Sequence, residues 1–198
     1  MKDVAILVLA AGKSSRMKTP KQLVKIGADF LLATVLKKAK SLNTNNVYCV
    51  LGANAEKIRE KISLANIHFI DNKNFDNGLS SSIVSGIVEI EKKAQKYDAV
   101  LILLADQPAI EKEYLDEMIG FSRKYPTKTI ASNYSYRAGV PAIFPKEYFF
   151  KLKELTGDFG AQELLNNHKN VILFDRQTNF IDIDTEKDLK DYNNSILK

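Results

Sequence analysis

The stretch Val4–Leu23, VAILVLAAGKSSRMKTPKQL, changes character in its middle. Val4 to Leu9 is an unbroken apolar run, the pattern of a strand buried on both faces. Ala10, Ala11, Gly12, Ser14 and Ser15 then follow, with Lys13, Arg16, Lys18 and Lys21 among and after them. Small side chains let backbone N–H groups come close to a ligand, and Arg and Lys add charge-assisted hydrogen bonds. No acidic residue stands between Val4 and Ala28, whereas five basic ones do, Lys25 being the fifth. A buried strand that empties into such a loop suits a polyphosphate, and the expected ligand is a nucleoside triphosphate. Two other phosphate loops are excluded. One glycine is too few for G-x-G-x-x-G, and no Gly-Lys-Ser/Thr closes the loop as in Walker A.

The rest of the chain is compatible with one domain over 1–198, with no repeat or linker. It has 198 residues, 45% of them hydrophobic, long enough for a sizeable core. Its formal charge of +5 equals the number of bases in the first loop, so phosphate binding there accounts for the excess. No nucleic acid partner is expected, since no Arg-rich tail or aromatic-interleaved basic stripe is present. Met1-Lys2 and the apolar run have the outline of a signal peptide. Lys13, Arg16 and Lys18 follow at once, and the run is too short to span a bilayer. A buried first strand and no membrane partner are expected. A single cysteine, Cys49, allows no internal disulfide, which is compatible with a cytoplasmic location.

Periodicity predicts helices over 30–42, 55–64, 111–123, 146–155 and 161–168, with a last one running from Thr185 to about Leu197. Another helix starts at Ser80-Ser81-Ser82, serines suited to be N-caps, and carries Ile83, Ile87, Ile90, Ala94 and Tyr97 on one stripe. Strands are predicted at 47–51, 67–70, 98–105, 129–132, 142–144, 171–174 and 180–183, with 134–141 as a connection. Strands alternating with helices point to an α/β fold, a single three-layer α/β/α domain with a mostly parallel, Rossmann-like sheet.

In such sheets ligands bind beyond the carboxyl ends of the strands. The loops that gather there are 10–22, Gly52-Ala53, 71–82 and Asp106-Gln107-Pro108. A helix start surrounded by hydroxyls, as at Ser80–Ser82, attracts anions or polar base edges. Asp106 ends the most apolar strand, and Mg²⁺ prefers one or two carboxylates together with substrate phosphates. Asp182 and Asp184 alternate across Ile183, so in a strand both face one side. Asp184 is chosen to complete the metal site. His68 and His168 match no ligand spacing and are read as structural or surface residues. Tyr134, Tyr136 and Arg137 are candidates to stack on a ring.

Five blocks in order resemble the molybdenum cofactor nucleotidyltransferases, and among them the cytidylyltransferase branch. They are LAAGKSSRM with PKQL, GLSSS, LLADQP, GVPAIFP followed by LTGDFGAQELL, and IDIDTEKDL. The resemblance implies the nucleotide-diphospho-sugar transferase type of fold and transfer of CMP from CTP to the phosphate of molybdopterin. It implies that Leu9, Ala10, Ala11, Gly12 and Ser15 line the nucleotide, aided by Gly52, and that catalytic Arg16 and Lys21 bind its β- and γ-phosphates. Ser80, Ser81 and Ser82 would lie near base or ribose. Asp106, also catalytic, and Asp184 would hold Mg²⁺. Gly139, Pro141, Gly157, Asp158, Gly160 and Ala161 would face the acceptor. Relatives that use GTP tend to have Gly in place of Ala11, which implies CTP here. A molybdoenzyme or its maturation factor is an implied partner. A sugar or polyol phosphate is an alternative acceptor, and a nucleotide-binding accessory protein without turnover is the alternative of another class. A nicotinamide oxidoreductase fails on the missing glycines.

Overall fold

The computed structural model describes residues 3–42, 46–93, 96–135, 137–167 and 169–196. In chain order the strands are β1 (Val4–Ala10), β2 (Lys25–Ile26), β3 (Asp29–Phe30), β4 (Val47–Leu51), β5 (Ile67–Asp71), β6 (Ala99–Leu104), β7 (Thr129–Tyr134), β8 (Arg137–Pro145) and β9 (Val171–Phe174). The helices are α1 (Leu31–Ser41), α2 (Ala55–Lys61), α3 (Leu79–Glu91), α4 (Lys112–Ser122), α5 (Phe149–Lys153), α6 (Gln162–Leu165) and α7 (Glu186–Ile196). Seven strands form one sheet in the order β5-β4-β1-β6-β8-β7-β9, and β2 with β3 makes a small hairpin. Within the large sheet only β8 runs against its neighbours.

Alternation along β1 explains the three layers. Ile6, Val8 and Ala10 enter an apolar cluster with Leu32, Val35 and Leu36 of α1 and Tyr114 and Met118 of α4. Ala5, Leu7 and Leu9 enter the opposite cluster with Ile83, Ile87 and Ile90 of α3 and Phe149 and Leu152 of α5. A continuous apolar strand is required because both faces are covered. Gly86 lets α3 lie directly on β1, for a Cβ there would stand 2.5 Å from Leu7 Cδ1. That contact brings the start of α3 up to the loop after β1.

Several expectations are corrected. Residues 180–183 form no strand. Ile183 is buried with Val24, Ile26 and Leu31, and its N–H donates to the Asp106 carbonyl at 2.9 Å, so one cross-contact replaces a ladder. The expected connection over 134–141 is largely β8, which pairs with β7 through Asn133↔Ala138 and Tyr134↔Arg137. α2 ends at Lys61, and Ile62 turns its backbone to an extended conformation. The serines do not cap α3. Gly78 holds the N-cap position, and the Ser81 hydroxyl donates to the Gly78 carbonyl at 2.8 Å. His68 is exposed and stacks on Tyr48, and Cys49 is buried and unpaired. Ala94, Tyr136, His168 and Leu197 lie outside the described residues. Among the described residues no helix is long and apolar enough to cross a membrane.

Candidate active site

The loop after β1 is tied to itself by a residue that the sequence did not single out. Gln22 is buried, and its Nε2 donates to the carbonyls of Ala10 (2.9 Å) and Gly12 (3.0 Å). The Ser14 hydroxyl donates to Gln22 Oε1 at 3.2 Å and accepts the Lys21 N–H at 2.9 Å. Ser14 takes a positive φ of 58° to make this turn. Buried polar groups satisfied in this way fix one backbone path. A Cβ on Gly12 would meet no atom within 4 Å, so that position faces open space. Gly52 has a different place from the one expected. A Cβ there would lie 2.4 Å from the Ala11 carbonyl and 2.8 Å from Phe75 Cβ, so Gly52 supports the loop from beneath.

The loop forms one wall of a cleft of about 330 Å³. Leu9, Ala10, Ala11, Gly12 and Lys21 line it on this side, and Ala105 and Asp106 at the end of β6 also line it. Gln22 and Leu104 line it too, and Phe75, Gly78, Leu79, Ser82 and Asp158 form the second wall. That second wall is spliced from two distant segments. The Ser80 N–H donates to the Gly157 carbonyl at 3.2 Å, and its hydroxyl reaches the carbonyls of Thr156 (3.0 Å) and Gly160 (3.4 Å). Gly78 (φ 88°) has no room for a Cβ, which would fall 2.1 Å from Asp158 Oδ1. Gly160 (φ 57°) likewise packs under Leu79, 2.8 Å from a Cβ.

Of the three serines, only Ser82 lines the cleft. Ser80 is fully buried, and Ser81 is held by Asn72, whose Nδ2 donates to Ser81 Oγ (2.8 Å) and Ser82 Oγ (3.2 Å). Asn72, buried before a turn, carried no sequence signal beyond its polar surroundings. Ser15 and Arg16 are not among the lining residues, and Arg16 stands at the rim, largely exposed.

Four charges meet at the mouth. Lys21 Nζ lies 2.5 Å from Asp106 Oδ2 and 2.9 Å from Asp184 Oδ1, and Arg16 Nη2 lies 2.7 Å from Asp184 Oδ2. Burial alone works to lower the Lys21 pKa, but the charges and hydrogen bonds of Asp106 and Asp184 hold it above the ordinary value. Burial works to raise Asp184, and Lys21 and Arg16 prevail and hold it below the usual carboxylate range. Asp182 points elsewhere: its Oδ1 accepts from Gln107 Nε2 at 2.9 Å, and burial together with the nearby Asp106 pushes its pKa up.

The residues present fit a hard divalent cation. Asp106 and Asp184 converge on a single cationic position, and Asp106 Oδ1 is buried with no partner among the described residues. No group of three or more His, Cys, Asp or Glu suited to a metal occurs among the described residues. A cation there would draw its remaining ligands from substrate oxygens and water, the habit of Mg²⁺.

The expected acceptor residues separate into two places. Asp158 lines the cleft, with Gly157 and Gly160 shaping its loop, while Ala161 is buried beside them. Gly139 lies under the Tyr134 ring, 2.6 Å from a Cβ, and the Pro141 carbonyl accepts from buried Ser132 at 2.8 Å. Both therefore belong to the β7–β8 hairpin, not to the cleft wall.

A family model described as the MobA-like NTP transferase domain matches residues 6–171. The chain belongs to this family. The match contains the loop after β1, both segments of the second wall and Asp106, and it ends before Asp184. Rv0371c from Mycobacterium tuberculosis H37Rv has the same fold, at 22% identity and TM-score 0.82 over 98% of each chain. A structure of Rv0371c in complex with manganese is similar as well, at 23% identity and TM-score 0.78 over 98% of this chain and 99% of that one. A homolog of Rv0371c from mycobacterium sp. strain JC1 is 28% identical, with TM-score 0.81 over 98% of this chain and 96% of its own. Among curated proteins, the bifunctional protein GlmU of Pseudomonas fluorescens (strain Pf0-1) is 30% identical over 120 residues. That match takes in 59% of this chain and 25% of GlmU, so the chain spans a quarter of that relative. The fold is that of the nucleotide-diphospho-sugar transferases, and the family is one of nucleotidyltransferases.

Proposed function

We propose that the protein is a cytoplasmic, Mg²⁺-dependent enzyme that moves CMP from CTP onto the terminal phosphate of molybdenum-bound molybdopterin and releases pyrophosphate. The convergence of Arg16 and Lys21 with Asp106 and Asp184, at the mouth of a small-residue cleft, carries this reading. The choice of CTP rests on Ala11, which lines the cleft at the position where the resemblance has Gly in relatives that use GTP. The choice of acceptor rests on the Gly157–Ala161 loop, which joins that wall through Asp158. A molybdoenzyme or its maturation factor would receive the product.

An acceptor phosphate oxygen attacks the α-phosphorus, the bond from that phosphorus to the oxygen bridging to the β-phosphorus breaks, and pyrophosphate leaves on the opposite side. No protein nucleophile is required, because a phosphate monoester is already anionic near neutral pH. The chain's contribution is positioning and charge. Backbone N–H groups along Ala10–Gly12 approach the phosphates, and Lys21 and Arg16 exchange carboxylate partners for the β- and γ-phosphates as negative charge builds there. A divalent cation held by Asp106 and Asp184 would supply charge neutralisation beside the α-phosphate.

The test is pyrophosphate release by the purified protein with Mg²⁺ and each of the four NTPs, with and without molybdopterin. Release with CTP only when the pterin is present is the expected result. Release with GTP would keep the reaction and reject the base. Release only with sugar or polyol phosphates would keep the chemistry and reject the acceptor. NTP binding without release under any condition would point to an accessory protein.

A further inference from the structure

The serines in the first half of α3 direct their hydrogens differently. Ser80 Oγ donates to the Thr156 carbonyl at 3.0 Å, Ser81 Oγ to that of Gly78 and Ser85 Oγ to that of Ser81, both at 2.8 Å. Ser82 is buried and lines the cleft, yet among the described residues its hydroxyl only accepts, from Asn72 Nδ2 at 3.2 Å. The direction of that bond is fixed by the backbone. Asn72 directly follows β5, its own N–H donates to the Leu51 carbonyl at 2.8 Å, and its Oδ1 accepts the Asn74 N–H at 2.9 Å. The other end of the amide is therefore the NH₂ group, whose two hydrogens go to Ser81 and Ser82. Ser82 Oγ is left with a hydrogen to give, and the cleft is in front of it.

We infer that Asn72 is a positioning residue that holds the Ser82 hydroxyl as an acceptor and so aims its hydrogen at an acceptor atom of the nucleobase. The inference rests on the proposed nucleotide site and names one contact within it. Helix α3, packed on β1 through Gly86, fixes where Ser82 stands. Asn72 fixes which way its hydrogen points. The surroundings favour a base over a phosphate. Ser82 shares its wall with Phe75 and Leu79 and with Asp158, a carboxylate that has no cationic partner among the described residues. Such a wall repels a phosphate and suits a neutral ring, while Lys21 and Arg16 gather at the mouth. Nucleobase edges carry carbonyl and ring-nitrogen acceptors, and a buried donor left unmatched is costly.

The experiment is titration calorimetry in Mg²⁺ on wild type, Ser82→Ala, Asn72→Asp, the double variant and Ser85→Ala. The probes are the four NTPs and inorganic tripolyphosphate, which has the phosphates without the nucleoside. Ser82→Ala puts a strong helix former in a helix and should weaken CTP about tenfold, the effect of losing one buried hydrogen bond, with tripolyphosphate unchanged. Asn72→Asp can still accept the Asn74 N–H, but it also accepts from Ser82 and turns that hydrogen away from the cleft. It should weaken CTP at least as much, and the double variant should be no worse than Ser82→Ala, because no hydroxyl remains to be aimed. Ser85→Ala should leave every affinity in place. Equal losses for CTP and tripolyphosphate, additive losses in the double variant, or a like loss in Ser85→Ala would overturn the inference. In Ser82→Ala, 2′,3′-dideoxy-CTP should lose as much as CTP; no loss there would move the contact to the ribose and overturn it too. A wild-type preference for GTP would reject the base of the proposed reaction, and the same variants then test Ser82 with GTP. Equal wild-type affinity for tripolyphosphate and all four NTPs would reject the base contact and leave the phosphate site standing. Binding of none of these probes would reject both readings. No acceptor is present, so failure of molybdopterin to react leaves the outcome intact.

Discussion

At Lys21 a single ammonium group stands where two carboxylates converge, and this has a direct consequence for metal binding. If Asp106 and Asp184 hold a divalent cation as proposed, the lysine competes with it for them, and nucleotide would draw Lys21 away before the metal is held well. Lys21→Met should bind Mn²⁺ at least about tenfold more tightly than wild type in the absence of nucleotide, as titration calorimetry would read. Unchanged or weaker Mn²⁺ binding would remove the competition. The charges of this site were legible as residue types in a loop and at a strand end. Their pairing was not, because Lys21 finds partners 85 and 163 residues away. Gln22 was written in the PKQL block, but nothing local reveals that its amide would close the loop on Ala10 and Gly12.

Elements were legible where an unbroken apolar run or an apolar helical stripe left no alternative. Val47–Leu51 and Val171–Phe174 have the bounds their apolar runs predict, and α1 lies within a residue at each end. The segment around Asp182 was misread because alternating Ile and Asp satisfies the period of a strand with no neighbouring edge to pair with. Ile183 there acts as a single plug. Helix α1 also reaches the turn after β6, for Lys38 Nζ donates to the carbonyls of Pro108 (2.7 Å) and Ile110. Burial lowers the Lys38 pKa, although Glu111 and Glu113 oppose this. The folded protein therefore loses that proton at a lower pH than the unfolded chain, and stability attributable to Lys38 rises with pH between the folded value and 10.5. Lys38→Met should show a flatter alkaline limb when urea unfolding is followed against pH. A parallel limb in both proteins would mean that Lys38 does not titrate in this window.

For the molecule as a whole, the C-terminal segment is held by a small third core of Val24, Ile26, Leu31 and Ile183, with Leu189 and Tyr192 of α7 against it. Ile183→Ala should cost roughly 2–5 kcal/mol in urea unfolding, the range for emptying a buried aliphatic site. A loss under 1 kcal/mol would show that the segment re-packs and that Asp184 is not held by this plug. The alternation of strands and helices disclosed the layers and the ligand-binding edge, because connection handedness leaves few other topologies. It did not disclose that β8 is reversed between β6 and β7, since a strand's direction is set by its partners. One feature of the second wall bears on how such a protein descends. Gly78 gives way to Asp158 and Gly160 gives way to Leu79, so each segment supplies the vacancy that the other fills. Neither segment can drift by itself. A lineage that enlarges a residue in one must shrink its counterpart in the other, and substitutions at 78–79 and 158–160 are expected to be inherited as matched sets.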